Sequence, residues 1–109
     1  MAISCNTSTA EETQKRLPKA YVIKAFNTVF ASNQSTGKIG SEKLTAFIAG
    51  DNVKAKDTVA QLARDIGFEP LDCGPLKAAR CLDAMAIMII SLAYKSGHGT
   101  KIGYKLVKT

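Results

Sequence analysis

The stretch LTAFIAGDNVKAKDTVAQLARDIGFEPLD, Leu44 to Asp72, decides the fold. Leu44 to Ala49 is an apolar run of strand length, and Gly50 with Asp51 provides a turn and an N-cap for a helix from Asn52 to Ile66. Val53, Val59, Leu62, Ala63 and Ile66 supply that helix with one apolar face. Gly67 closes the helix, and Phe68 to Asp72 reads as a returning strand in which Pro70 calls for a sheet edge. Strands joined by a helix of about 15 residues form a crossover, so they are expected to run parallel with helices on the sheet faces.

Working outward, Ala20 to Phe26 (AYVIKAF) is β-branched and aromatic and predicts a further buried strand. Ser8 with Glu11 forms a candidate capping box for a short helix ending near Arg16, before Pro18, and the polar segment Ser32 to Ser41 is expected to be a mobile loop. Downstream, Gly74 and Pro75 open a helix over Leu76 to Lys95, ended by the Gly97, His98, Gly99 turn, and Ile102 to Val107 predicts a last short helix. The apolar run Ala84 to Tyr94, broken only by Ser91, reads as a buried helix, being about half of the roughly 20 residues a membrane span needs. The expected fold class is α/β: about three mainly parallel strands, flanking helices and a long apolar C-terminal helix. A parallel sheet is seldom so narrow, so the strand Ala20 to Phe26 is expected to need a neighbour.

With 109 residues, 46% of them hydrophobic, residues 1–109 fit a single small domain. The net charge of +6 is concentrated in the carboxyl-terminal tail, because all nine acidic residues lie at or before Asp83 while Lys95, Lys101, Lys105 and Lys108 follow without acidic company. No aromatic residues interleave with a basic stripe, which disfavours nucleic acid as a partner. Met1 to Thr9 shows no basic segment leading into an apolar core, so a cytoplasmic chain without a membrane partner is expected. Cys5, Cys73 and Cys81 have neither a disulfide framework nor zinc spacing, and no metal ligands are assigned.

Catalytic signatures are absent. No G-x-G-x-x-G turn follows a strand; Gly97, Gly99 and Gly103 have another spacing and follow a helix. Gly37 and Lys38 fail as a phosphate loop because Ile39 stands at the hydroxyl position, and His98, the single histidine, sits in a glycine turn. Asp72, Arg80 and Asp83 read as an ion-pair set around the start of the long helix. Catalytic residues are therefore left unassigned.

Three linked segments carry a resemblance: KAFNTVFA (Lys24 to Ala31), FIAGD (Phe47 to Asp51) and GFEPLDCGPLKAAR (Gly67 to Arg80). In order and spacing the chain resembles the carboxyl-terminal half of the coenzyme F420-dependent NADP oxidoreductase-like family, NAD(P)H-binding proteins with a Rossmann fold. The resemblance implies a partial Rossmann-like sheet, with the phosphate-binding amino-terminal half absent from this chain. It implies NADP as cofactor, with Asn27, Thr28 and Ala31 bordering the nicotinamide end, and F420 near Ile102 in members that use it. The carboxyl end of a parallel strand is also where ligands bind in such sheets, while strand-end turn residues bonded to backbone is the alternative for Asn27 and Thr28. The implied chemistry is hydride transfer between a nicotinamide and a flavin- or deazaflavin-type carrier, with a complementary amino-terminal half as partner. The alternative is a non-enzymatic binding module that forms a homodimer through its open strand edge and the Ala84 to Tyr94 helix.

Overall fold

The computed structural model describes residues 7–108. Cys5 and the first residues of the amino terminus lie outside them.

Strand β4 (Thr45–Gly50) is the centre of the sheet, with Ala46, Ile48 and Ala49 almost fully buried. Helix α3 (Val53–Ile66) follows it, and β5 (Glu69–Asp72) returns parallel to it, with Thr45 opposite Glu69 and Ile48 opposite Asp72. The crossover read from Leu44 to Asp72 is therefore present. β5 is an edge strand, as Pro70 requires, since proline has no N–H to donate outward.

The sheet is mixed rather than mainly parallel. Strand β1 (Ile23–Lys24) pairs antiparallel with β4, Ile23 opposite Gly50 and Lys24 opposite Ala49, giving the order β1-β4-β5. A parallel pairing would need a long crossover between β1 and β4. The intervening chain holds only the four-residue helix α2 (Ala31–Gln34) and a hairpin, β2 (Lys38–Ile39) with β3 (Glu42–Lys43), and so it turns back instead. That helix and hairpin replace the expected loop over Ser32 to Ser41. β1 is also shorter than AYVIKAF suggests and only partly buried. At its start the Val22 N–H donates to Gln14 Oε1 (3.0 Å), and at its end Phe26 takes φ 63, a left-handed conformation no strand can continue through.

Helix α3 is capped by Asn52, whose Oδ1 accepts from the Ala55 N–H (2.8 Å), and not by Asp51. The Asp51 carboxylate accepts instead from the Leu76 N–H (3.0 Å). Of the apolar face expected on α3, Ala63 is buried and Val59 and Ile66 are partly so, but Val53 and Leu62 face water. The face that meets the sheet runs through Lys56, Ala60 and Ala63, one turn apart.

A single 3₁₀ turn (Leu76–Ala78) precedes helix α4 (Ala79–Tyr94). The expectation of a long, buried apolar helix is corrected: α4 has 16 residues, and Ala79, Leu82, Ala86, Ile89 and Ala93 face the core while Ile87, Met88, Ile90 and Tyr94 are exposed. No helix among the described residues is long and apolar enough to cross a membrane. The final segment forms no helix over Ile102 to Val107, because its backbone serves β4: Thr45 N–H donates to Tyr104 O (2.9 Å) and Leu106 N–H donates to Thr45 Oγ1 (2.8 Å).

Helix α1 (Thr9–Arg16) starts at Ser8, whose Oγ accepts from the Glu11 N–H (3.3 Å). Glu11 also receives Arg80 in a bidentate pair, both contacts 2.8 Å, which fastens α1 to α4 over a small cluster of Ala10, Leu76 and Ala79. The main cluster, Val29, Leu44, Ala46, Ala63 and Phe68, lies below the sheet's other end, with the Phe26 and Phe68 rings 5.4 Å apart.

Two outcomes are expected. At Gly67 (φ 131) an added Cβ would strike the Thr36 carbonyl oxygen, whereas at Gly40 (φ 61) it would meet open space. Gly67→Ala should therefore cost about 2–3 kcal/mol in chemical denaturation and Gly40→Ala about 1 kcal/mol, the cost of a left-handed alanine alone. The hydrogen bond from Arg80 is the main cause holding the Glu11 carboxyl below its ordinary value. Its stabilisation is present above the unfolded-state glutamate pKa, about 4.3, and is lost as pH falls through the lower folded value. Glu11→Gln should flatten the acid limb of a stability-against-pH curve.

Candidate functional site

The segment Lys24 to Gln34 is gripped from two sides. Lys24 Nζ lies 3.4 Å from Asp83 Oδ1, and Asn27 Nδ2 donates to Leu82 O (2.9 Å), so α4 holds the exit of β1. Gln34 Nε2 donates back to Phe26 O (3.2 Å) and Val29 O (3.1 Å), closing the segment on itself. From the other side Asn33 Nδ2 donates to Thr100 O (2.9 Å) and weakly to Ile102 O (3.5 Å), and the Phe30 and Tyr94 rings meet edge-on at 6.1 Å.

Within this frame the predicted residues differ in what they can do. The Asn27 side chain spends its donor on Leu82 O, while its Oδ1 is buried and has no hydrogen-bond partner among the described residues. Such an orphaned acceptor costs about 1–3 kcal/mol, and it would be relieved by a donor on a ligand. Thr28 is fully buried beside it in sequence; Ala31 is exposed. Ile102 lines a small apolar cleft of about 180 Å³ with Ile89, Leu92, His98, Gly103 and Tyr104. Asn33 ties Ile102 to the segment that carries the other three.

The segment does not lie at the carboxyl end of a parallel strand. Because β1 runs antiparallel to β4, with Lys24 opposite Ala49, the chain leaves β1 in the direction of the amino end of β4. Asp72, Arg80 and Asp83 do not form one ion-pair set either: Asp83 pairs with Lys24, Arg80 with Glu11, and Asp72 with Lys56 Nζ at 3.0 Å. Asn33, Gln34 and Lys24 are the residues that sequence reasoning missed; the partners of Asn33 and Lys24 lie 59 to 69 positions away, and Gln34 bonds to backbone five and eight residues before it.

At the carboxyl ends of β4 and β5 the chain binds itself. The Gly50 N–H donates to Gly74 O (3.1 Å), and Lys56 Nζ reaches Asp72 Oδ1 and Gly74 O (3.3 Å). A hydrogen bond from the Gly74 N–H (2.8 Å), helped by Lys56, holds the Asp72 carboxyl below its ordinary range. The adjoining cleft, about 130 Å³, is too small for a dinucleotide, and the amino end of α3 offers no open phosphate cradle with Asn52 capping it and the Asp51 carboxylate beside it. No group of three or more metal-ligating side chains occurs among the described residues.

Comparison with known proteins bears on this arrangement. No family model matches the chain. A protein of Arthrobacter sp. FB24, whose crystal structure is described as that of a candidate F420-dependent NADP reductase, superposes with a TM-score of 0.88 at 25% identity, over 97% of this chain and 48% of that one. Over nearly its whole length the chain is therefore similar to about half of that protein. A second solved structure, a protein of Sinorhizobium meliloti, matches at TM-score 0.58 and 27% identity, over 92% of this chain and 43% of that one. Among curated proteins, Metalloreductase STEAP3 of Rattus norvegicus is 37% identical over 84 residues and Metalloreductase STEAP2 of Homo sapiens 29% identical over 85. The matched region covers 76% and 78% of this chain but 17% of each of those relatives.

Truncating Asn27 removes one hydrogen bond and one orphaned acceptor together. Asn27→Ala should therefore cost only about 1 kcal/mol in urea unfolding. Asn27→Asp should cost more at neutral pH, since it buries a carboxylate against the Leu82 carbonyl next to Asp83.

Proposed function

We propose that this chain supplies the nicotinamide-side half of an NAD(P)H-dependent oxidoreductase that transfers hydride between a nicotinamide and a flavin- or deazaflavin-type carrier. The observation behind the reading is the match to the Arthrobacter protein along nearly the whole chain but only half of that protein. The Asn27 acceptor supports it locally: a buried oxygen without a donor suits an amide N–H such as that of a nicotinamide carboxamide. Asn27, Thr28 and Ala31 would border that ring, and Ile102 would border the second carrier.

The fit stops at the ring end. Pockets for molecules of drug size run to about 300–1,000 Å³, and neither the cleft at Ile102 nor the one at Asp72 reaches that range. The described residues also offer no glycine-rich turn for the pyrophosphate. We therefore assign NADP binding to this chain joined with a complementary amino-terminal half, and no catalytic step to this chain alone. Hydride transfer itself is the bound cofactor's chemistry, for which a protein mainly orients rings and excludes water. The resident contribution of this half is rigidity: two anchors on α4 and two on the tail hold the Asn27 to Ala31 segment.

Titration of the purified chain with NADPH should show no saturable binding at micromolar concentration. The amino-terminal half of the Arthrobacter relative, fused ahead of this chain, should restore binding, and Asn27→Ala in the fusion should weaken it by about tenfold, the equivalent of one lost hydrogen bond of about 1.4 kcal/mol. Micromolar binding by the chain alone would contradict the reading, as would a folded fusion that binds no NADPH.

A further inference from the structure

Cys73 and Cys81 are free thiols on two elements that the fold sets side by side. Cys73 follows the last residue of β5, and its N–H still donates to Ile48 O (2.7 Å), continuing the ladder. The sheet pairing fixes its side. Lys24 stands opposite Ala49 and reaches Asp83 of α4, whereas Asp72 stands opposite Ile48 and reaches Lys56 of α3. One face of the sheet therefore belongs to α4 and the other to α3. Side chains alternate along a strand, so Cys73, next after Asp72, points to the α4 face. On α4 the reference is Asp83, which looks toward β1, one edge of the sheet. Cys81, two positions earlier, lies about 200° round the helix, on the flank toward the other edge, β5. Cys81 is exposed and Cys73 half-buried. Burial pushes the Cys73 thiol up from its ordinary value, and the nearby Asp72 and Cys81 push it in the same direction.

We propose that Cys73 and Cys81 form a reversible intrachain disulfide, a redox-sensitive lock between the end of β5 and the first turn of α4. The residues beside both cysteines are already pinned. Asp72 holds Lys56 and the Gly74 N–H, Gly74 O accepts from the Gly50 N–H, and Arg80 is paired with Glu11 of α1. Neither thiol has to be brought in from a free segment, so the pair is set before it reacts. The oxidant is a low-molecular-weight disulfide such as oxidised glutathione. The exposed Cys81 thiolate attacks one of its sulfurs, which forms a mixed disulfide and releases one glutathione. Cys73 then loses its proton and attacks the Cys81 sulfur, forming the Cys73–Cys81 bond and releasing the second glutathione. Two protein thiols are oxidised and one glutathione disulfide is reduced. Cys81 is the entry point because it is exposed, while burial of Cys73 disfavours its thiolate as the first nucleophile. The proposal does not depend on whether the Asn27 to Ala31 segment binds a cofactor.

The test equilibrates the chain with mixtures of reduced and oxidised glutathione and digests it with trypsin, which cuts between the two cysteines after Lys77 and Arg80. Peptides 65–77 and 81–95 should be recovered joined from a single chain, and separate after dithiothreitol. Cys5→Ser should leave that link unchanged. Cys73→Ser should stop the reaction at a glutathione adduct on Cys81, and Cys81→Ser should leave Cys73 largely unmodified. The equilibrium constant for forming the disulfide should be about tenfold larger in the folded chain than in urea, because the fold presets the pair. Through linkage, oxidation should raise the urea midpoint of unfolding. A link through Cys5 or between two chains overturns the proposal. So does a glutathione adduct that persists on Cys81 while Cys73 stays free, or a constant no larger than that in urea.

Discussion

A strand buried on both faces must find partners for its backbone within the protein, and β4 imposes that demand on everything around it. β5 serves one edge along its length. The other edge is served piecemeal, by two residues of β1 at the Gly50 end and by the Tyr104 carbonyl at the Thr45 end. The carboxyl-terminal segment is therefore a structural part of the sheet region even though it forms no strand. Gly103 lies close enough to the Leu44 side chain that a Cβ there would come within 2.6 Å of it, a proximity that the pairing of Thr45 with Tyr104 demands.

The motifs that carry the family resemblance divide by role once their contacts are known. In AGD and DCGPL, Gly50, Asp51, Asp72 and Gly74 bind one another, Lys56 or the Leu76 backbone. Those residues join two strand ends to the start of the following helix, which is a packing role. KAFNTVFA differs: it includes a left-handed phenylalanine and an asparagine whose buried oxygen has no partner among the described residues, two local costs that the surrounding contacts must offset. The Lys24–Asp83 pair, the Leu82 carbonyl and the Asn33 amide over-determine that segment and keep it in place.

Much of the architecture was legible. Gly67 and Pro70 placed a helix end and a sheet edge because each residue type has few backbone options, and Ser8 with Glu11 marked a helix start through purely local bonding. The direction of β1 was not legible, since periodicity reports which residues face a core and says nothing of which way a strand runs. Nor was the exposure of α4. An apolar run looks buried in sequence, yet burial depends on whether another element lies on that side, and the described residues leave Ile87, Met88, Ile90 and Tyr94 exposed. Of the candidate site, Asn27 was singled out through the KAFNT resemblance, whereas Asn33 and Lys24 act on partners far along the chain.

The sequence by itself determined the strand–helix–strand unit from Leu44 to Asp72 and the glycine and proline positions that bound it, because propensity, capping and backbone restriction act within a few residues. It also determined the absence of a glycine-rich dinucleotide turn. Only the tertiary structure decided that β1 runs antiparallel, that the tail bonds to β4 instead of coiling, and that Asp83 pairs with Lys24. Each of those outcomes was set by which distant backbone groups and charges still lacked partners after the local elements had formed.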